Sequence, residues 1–386
     1  MLSKFIILTF VLFLGYFWFK IPKFKYKDFT CKDCHKEIVL DKNHQGIDCV
    51  SCHTKEKFSF HLWEKNCSRC HEKLIKNFKK GPHFNYKQRV FNIFKKTLKV
   101  RDLPSEVEDF LRRRCFLCHL EYEGEKYENT RRGKGCGACH LKYEKGKIKS
   151  HEFKKPTDQN CLACHYSTYI GWDYYGLVPQ SWYSDYRAPL VKGKDPERPW
   201  GIEAYLVKPS LHRERGLNCT FCHQKEELML NKEKPSCKKC HKNLKNNFYH
   251  LSETLKKTRC EVCHTNFLTQ DGLWECRLEY EPDMEFWVDL RVQESSEIEE
   301  IFKNYLEGKP YRLVMKDKLS GEEKAGIWLC ALYNRTFEKI NLGKDEQSST
   351  CLLRKFRLKI LSESKVWEIK LDKCIVPHST NKGSLY

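Results

Sequence analysis

Cys31-Lys32-Asp33-Cys34-His35 is the stretch on which this chain turns. Two cysteines stand three apart and a histidine follows the second. The same pattern returns at Cys49–His53, Cys67–His71, Cys115–His119, Cys136–His140, Cys161–His165, Cys219–His223, Cys237–His241 and Cys260–His264. With 22 Cys and 16 His among 386 residues, chance placement predicts roughly 0.05 copies in the whole chain. The chain has nine.

Cys-x-x-Cys-His is the attachment signature of c-type haem. Each thiol adds to one vinyl group of the porphyrin, and the adjacent histidine is held under the iron. The reading is nine covalent haems. Their thioethers come from Cys31, Cys34, Cys49, Cys52, Cys67, Cys70, Cys115, Cys118, Cys136, Cys139, Cys161, Cys164, Cys219, Cys222, Cys237, Cys240, Cys260 and Cys263. The proximal ligands are His35, His53, His71, His119, His140, His165, His223, His241 and His264. Zinc ribbons are the competing reading, but paired Cys-x-x-Cys zinc units need no histidine immediately after. Here every Cys-x-x-Cys carries one.

Charged residues make up 32% of the chain and the apolar fraction is 40%, so a polypeptide core over the first 275 residues is thin. Porphyrins would replace it, with short helices starting at each motif. The net charge of +20 ordinarily points to nucleic acid or an anionic surface. Nine haems bring about 18 propionate charges, leaving about +2 with ferrous iron and about +11 with ferric iron. The basic excess is then compensation, and nucleic acid is not an expected partner.

Residues 1–22 hold Lys4, an apolar run from Phe5 to Phe19, then Lys20-Ile21-Pro22. A secretory signal peptide fits the charged start, but no small-residue cleavage site follows. Tyr16-Phe17-Trp18-Phe19 resembles an interfacial aromatic belt. An uncleaved hydrophobic helix anchoring the chain is favoured, although it is short for a span and Lys20, Lys23, Lys25 and Lys27 oppose the positive-inside rule. Either way the body lies outside the cytoplasm, on the periplasmic or extracellular side of a bacterial or archaeal cell.

The motifs fall into three triplets, starting at 31, 49 and 67, at 115, 136 and 161, and at 219, 237 and 260. The first and third resemble an internal repeat. His44 precedes Gly46-Ile47-Asp48-Cys49, as His212 precedes Gly216-Leu217-Asn218-Cys219. Leu74-Ile-Lys-Asn77-Phe78 follows His71, as Leu244-Lys-Asn-Asn247-Phe248 follows His241, and His83 and His250 come next. The gap Val90–Arg114 reads as an amphipathic helix, its second half started by Pro104-Ser105, that sets triplet one apart. Tyr166–Ser210 is rich in aromatics and then in proline, which reads as a long ordered loop.

After Thr265 the composition changes. Strand-like runs are Glu285–Val292, Tyr311–Lys316, Gly326–Leu332, Cys351–Leu361 and Val366–Val376, with a turn at Ser362-Glu363-Ser364 and a helix at Ser296–Leu306. The expected organisation is residues 1–22 as anchor or signal, 23–95 as the first haem triplet, 96–274 as the second and third, and 275–386 as an all-β, sandwich-like domain. Cys276, Cys330, Cys351 and Cys374 lie outside the motifs and read as two disulfides of undetermined pairing.

Seven histidines remain for second axial ligation. His44, His61, His83, His151, His212 and His250 lie in the haem region and are candidate distal ligands. Met229 is a further candidate, aligned near His61 in the repeat; a thioether there would raise the potential. His378, in the C-terminal tail, could ligate a haem of another chain or none. Donors are scarcest in the middle triplet, where an iron could keep an open site.

Asn160-Cys-Leu-Ala-Cys-His165, then Ile170-Gly171 and Tyr175-Gly176-Leu177, then His212-x-x-x-Gly216-Leu-Asn-Cys219-x-x-Cys222-His223 is similar to the octahaem tetrathionate reductase and hydroxylamine oxidoreductase group. The resemblance covers residues 157–264. The chain departs from that group in its nine sites, its terminal β region and its lack of a Cys-x-x-Cys-Lys motif. No catalytic lysine or crosslinked tyrosine carries over, and no catalytic residue is assigned.

The expected function is electron transfer along a chain of mostly bis-histidine haems, from a membrane-side donor to redox partner proteins. One alternative is reduction or oxidation of a small nitrogen or sulfur compound at a five-coordinate haem, with residues 166–186 forming the pocket. Another is a subunit of a polymeric extracellular cytochrome, as a homo-oligomer or filament.

Overall fold

The computed structural model describes residues 31–53, 60–124, 131–144, 147–165, 171–179, 204–244, 247–281, 296–333, 335–336, 341–363 and 365–383. The leading apolar run, the expected strand Glu285–Val292 and most of the aromatic insert lie outside them. Among the described residues no helix is long and apolar enough to cross a membrane. The chain divides into two compact units, residues 1–39 and 40–386.

In the first unit, Cys31–Cys34 forms one helical turn, and the His35 amide donates to the Cys31 carbonyl at 2.9 Å. In a helical turn positions i and i+3 share a face, so the two thiols point the same way and the imidazole follows directly.

The second unit repeats this local solution. Helical turns cover Cys136–His140, Cys219–Cys222, Cys237–Cys240 and Cys260–His264. The amides of His53, His165, His223 and His241 each bond to the carbonyl of the first cysteine of their motif. The motif at Cys67 lies inside a longer helix, α1 (Phe60–Phe78), whose backbone breaks at His71 with φ −116° and ψ 29°. The motif at Cys115 is different. Like Cys49–Ser51 it forms a 3-10 turn, but Phe116 is off helical geometry, and the His119 amide donates to Phe116 rather than to Cys115.

The gap after the third motif folds as two helices, α2 (Tyr86–Leu98) and α3 (Ser105–Arg113). Pro104 stands at the N-cap of α3, as its rigid φ allows. Glu106 and Glu108 open α3 and Arg112 and Arg113 close it, which suits the helix dipole. These helices do not merely space the haem motifs. Phe94 of α2 and Val107, Phe110 and Leu111 of α3 join the core of the C-terminal region, with Ile298 and Ile301 of α4 (Ser296–Leu306).

Among the described residues that region holds one five-stranded sheet and two short two-stranded pairs, not two packed sheets. The strands of the large sheet are β1 (Trp274–Glu279), β2 (Ile327–Leu332), β3 (Leu342–Lys344), β4 (Thr350–Leu361) and β5 (Val366–Ile375). Central β4 pairs antiparallel with β5 over its length, from Leu352 opposite Ile375 to Leu361 opposite Val366. On its other edge it takes β3 antiparallel and β1 parallel. Strand β1 pairs antiparallel with β2, every residue of which is buried. Helices supply the cover that a second sheet would have given. Phe110 meets Trp328 edge-on at 5.3 Å between ring centres, and Trp328 Nε1 donates to Asp109 at 2.9 Å. Arg112 binds the buried Asp317 at 2.6 Å.

Both expected disulfides are present, as Cys276–Cys330 and Cys351–Cys374. The first joins residues directly opposite on β1 and β2. The second ties the start of β4 to the end of β5. In the aromatic insert, the described parts are a helical turn Trp172–Tyr175 and a strand pair, Leu177–Pro179 with Ala204–Leu206. They are more regular than the expected loop.

Candidate haem-ligation site

Among the described residues of the second unit, six pairs of histidine rings face one another. His44 faces His71 at 6.4 Å between ring centres, His53 faces His151 at 6.3 Å, and His83 faces His165 at 6.3 Å. His212 faces His241 at 6.0 Å, His223 faces His378 at 6.2 Å, and His250 faces His264 at 6.1 Å. Each pair joins a motif histidine to one outside the motifs. A metal–imidazole bond of about 2 Å on each side, plus about 1.1 Å from each nitrogen to its ring centre, gives roughly 6.3 Å for two imidazoles sharing one metal. The residues therefore fit a haem iron between them.

The ring nitrogens are arranged to suit. Iron takes one nitrogen when the other is held as a donor to an acceptor. His44 Nδ1 lies 2.7 Å from Asp41, His223 Nδ1 2.8 Å from Glu227, and His140 Nδ1 2.9 Å from the Lys154 carbonyl. His212 Nδ1 lies 2.9 Å from the Thr380 hydroxyl, and His264 Nδ1 3.3 Å from the Asn381 carbonyl. In each case Nε2 is left for metal. Asp41 also accepts from the amides of Asn43 and Phe153. Burial alone would raise its carboxyl, but the His44 bond and these amides hold it below its ordinary value. His165 is pushed down to about 4 by burial, then by its histidine neighbours. It stays neutral, the form that ligates.

Of the sequence candidates, His44, His83, His151, His212 and His250 are each set against a motif histidine. The His61 side chain lies outside the described residues. The six pairs form without Met229, which ends the short helix Lys225–Leu228. His378 was expected to serve another chain or nothing; it faces His223 of its own chain. Its distance from the motifs in sequence hid this, because the returning strand β5 delivers it.

His119 is placed otherwise. It is 6% exposed, its ring stands 6.2 Å from Phe116, and among the described residues no second imidazole faces it or His140. Burial, then the charges of Lys87 and Arg132, push His119 down to about 4. The Tyr86 phenol is raised by burial, then by the thiols of Cys118, Cys115 and Cys164 beside it.

The motifs also touch one another in chain order, except that the Cys115 motif is passed over. The Cys67 and Cys136 sulfurs lie close together, as do those of Cys161 with Cys219 and Cys237 with Cys260. Cys52 is within electrostatic reach of Cys67, Cys139 of Cys164 and Cys161, and Cys222 of Cys240. The run is thus Cys49, Cys67, Cys136, Cys161, Cys219, Cys237, Cys260. The Cys115 motif joins from the side, with Cys118 Sγ 3.3 Å from the Cys164 carbonyl. Local packing explains one departure from chain order. Buried Trp63 of α1 lies against Gly135, at φ +56°, where a Cβ would strike its ring, so α1 and the Cys136 motif approach closely.

Two family models match the chain: cytochrome c7 and related cytochrome c over residues 18–80, and cytochrome c554 and c-prime over residues 66–141. These matches support a multihaem c-type cytochrome. Both families imply covalently bound c-type haem and fit a multihaem electron-transfer role. Domains of these families are typically periplasmic or extracellular. No curated protein and no solved structure matches the chain.

Proposed function

We propose that the chain carries electrons through nine covalently bound haems outside the cytoplasm, most of them held between two histidines. The observation that supports this reading is the set of six opposed histidine pairs. An iron with both axial positions filled by imidazole passes electrons without binding substrate. The touching order of the motifs gives such electrons a continuous route from the Cys49 motif to the Cys260 motif. A membrane-side donor and soluble redox proteins are the partners this route would serve. Haem counting by pyridine haemochromogen and intact mass, with electron paramagnetic resonance of the oxidised protein, tests the reading. Nine haems, with at least six low-spin, is the expected result; a majority of high-spin haems would sink it.

A second reading has its own support at His119. That iron would sit on a buried, differently wound motif, flanked by Lys87 and Arg132, with Tyr86 close to its thiols. Positive charge and a phenol around an open iron suit reduction of a small nitrogen or sulfur anion, by holding the anion and delivering a proton. Nitrite and carbon monoxide titration of the oxidised and reduced protein separates the two. Binding to one haem, lost in Lys87→Ala for nitrite alone, favours catalysis; no binding leaves the wire.

A further inference from the structure

The last described residues, 377–383, follow strand β5 back into the haem region, where they bond almost continuously. The His378 amide donates to Asp173 at 2.5 Å, and the Asp173 carboxylate lies 3.8 Å from His378 Nδ1. Ser379, wholly buried, donates to the Phe267 carbonyl at 2.9 Å and accepts at its own carbonyl from the Asn266 amide at 2.6 Å. The Thr380 carbonyl takes the Leu211 amide at 2.9 Å, and its hydroxyl lies 2.7 Å from that of Ser210. The Asn381 amide donates to the His264 carbonyl at 2.9 Å. Gly383 sits at φ +100° under the His264 ring, where a Cβ would come 2.9 Å from Cε1.

Three of these residues each meet a different ligand pair. His378 faces His223. Thr380 holds His212, which faces His241. Asn381 holds His264, which faces His250. We propose that this strap completes, within its own chain, the ligation of the three haems of the third triplet. His378 is the axial ligand of the His223 iron, and Thr380 and Asn381 are positioning residues that fix the rings of His212 and His264. This rests on the haem reading above. The β region thereby gains a role in ligation, since β5, fastened by the Cys351–Cys374 disulfide just before the strap, presents it. The buried Asp173 gives the helical turn Trp172–Tyr175 a matching role, as the brace for His378.

The test uses full-length holoprotein with its haem complement counted first. Absence of covalent haem would overturn the function reading itself, whereas a full complement leaves the strap to be judged alone. His378→Gly should convert one haem from low-spin to high-spin, let it bind carbon monoxide, and regain the low-spin signal when free imidazole is added. His378→Met, which keeps a donor, should stay low-spin and raise the potential of one haem. Thr380→Val should keep all haems low-spin while shifting the resonance of one. His378→Gly with all haems loaded and no new high-spin signal, or His378→Met with every potential unchanged, overturns the assignment. A wild-type high-spin signal that grows on dilution would also overturn it, since the ligand would then come from another chain.

Discussion

The imidazoles of this chain differ in what holds their second nitrogen, and that difference has consequences. Asp41 is a carboxylate held ionised by three donors, so it pulls on the His44 proton and makes that ring the stronger donor to iron. Asp41→Ala should leave the haem low-spin but let cyanide displace His44 about 10–100-fold more readily, read by optical titration.

At the scale of elements, the helix that links the first and second triplets is a structural part of the β region. Its periodicity was legible: Val107, Phe110 and Leu111 share one face, and Pro104 marks the start. Its partner was not, because an apolar stripe states that it must be covered and not by what. Phe110→Ala removes the ring packed on Trp328 and should cost about 3–5 kcal/mol, measured by urea denaturation. The loss should appear in the sheet as well as the helix, with Trp fluorescence and far-ultraviolet signals moving together. Strands β2, β4 and β5 were legible from residue pattern, since strand runs and the turn at Ser362 to Lys365 are local, whereas β1 and β3 were not. The described residues hold one large sheet rather than a sandwich, and sheet number was not legible because it is a packing property. Here α2, α3 and α4 occupy the face that a second sheet would have covered.

Across the whole molecule, the repeat seen in sequence changes its membership in space. Chain order groups the motifs starting at 31, 49 and 67, but the ligand pairs group 49, 67 and 161 against 219, 237 and 260. His44 skips the Cys49 motif to serve the Cys67 motif, as His212 skips Cys219 to serve Cys237; His83 corresponds to His250, and His151 to His378. The motifs at Cys115 and Cys136 are then an insertion between His83 and Cys161. His44→Ala and His212→Ala should behave alike, each creating one high-spin haem by electron paramagnetic resonance and leaving the others unchanged. The Cys276–Cys330 disulfide closes a span of 54 residues, so Cys276→Ala with Cys330→Ala should cost about 4 kcal/mol by the chain-entropy model, read by thermal unfolding of the sheet.

What the sequence determined by itself was local: nine haem-attachment motifs with a histidine after each, three of the five sheet strands and the existence of two disulfides. Five of the histidines that face a motif histidine were legible, because a lone histidine between haem-attachment motifs is a rare residue with one evident use. Only the tertiary structure decided which histidine meets which, that His378 returns to His223, and that the run of touching motifs passes over Cys115. A ligand bond needs two imidazoles about 6 Å apart in space, and nothing local in a sequence encodes a distance between residues 155 positions apart, as His223 and His378 are. That distance is set by β5, its disulfide and the buried contacts of residues 377–383.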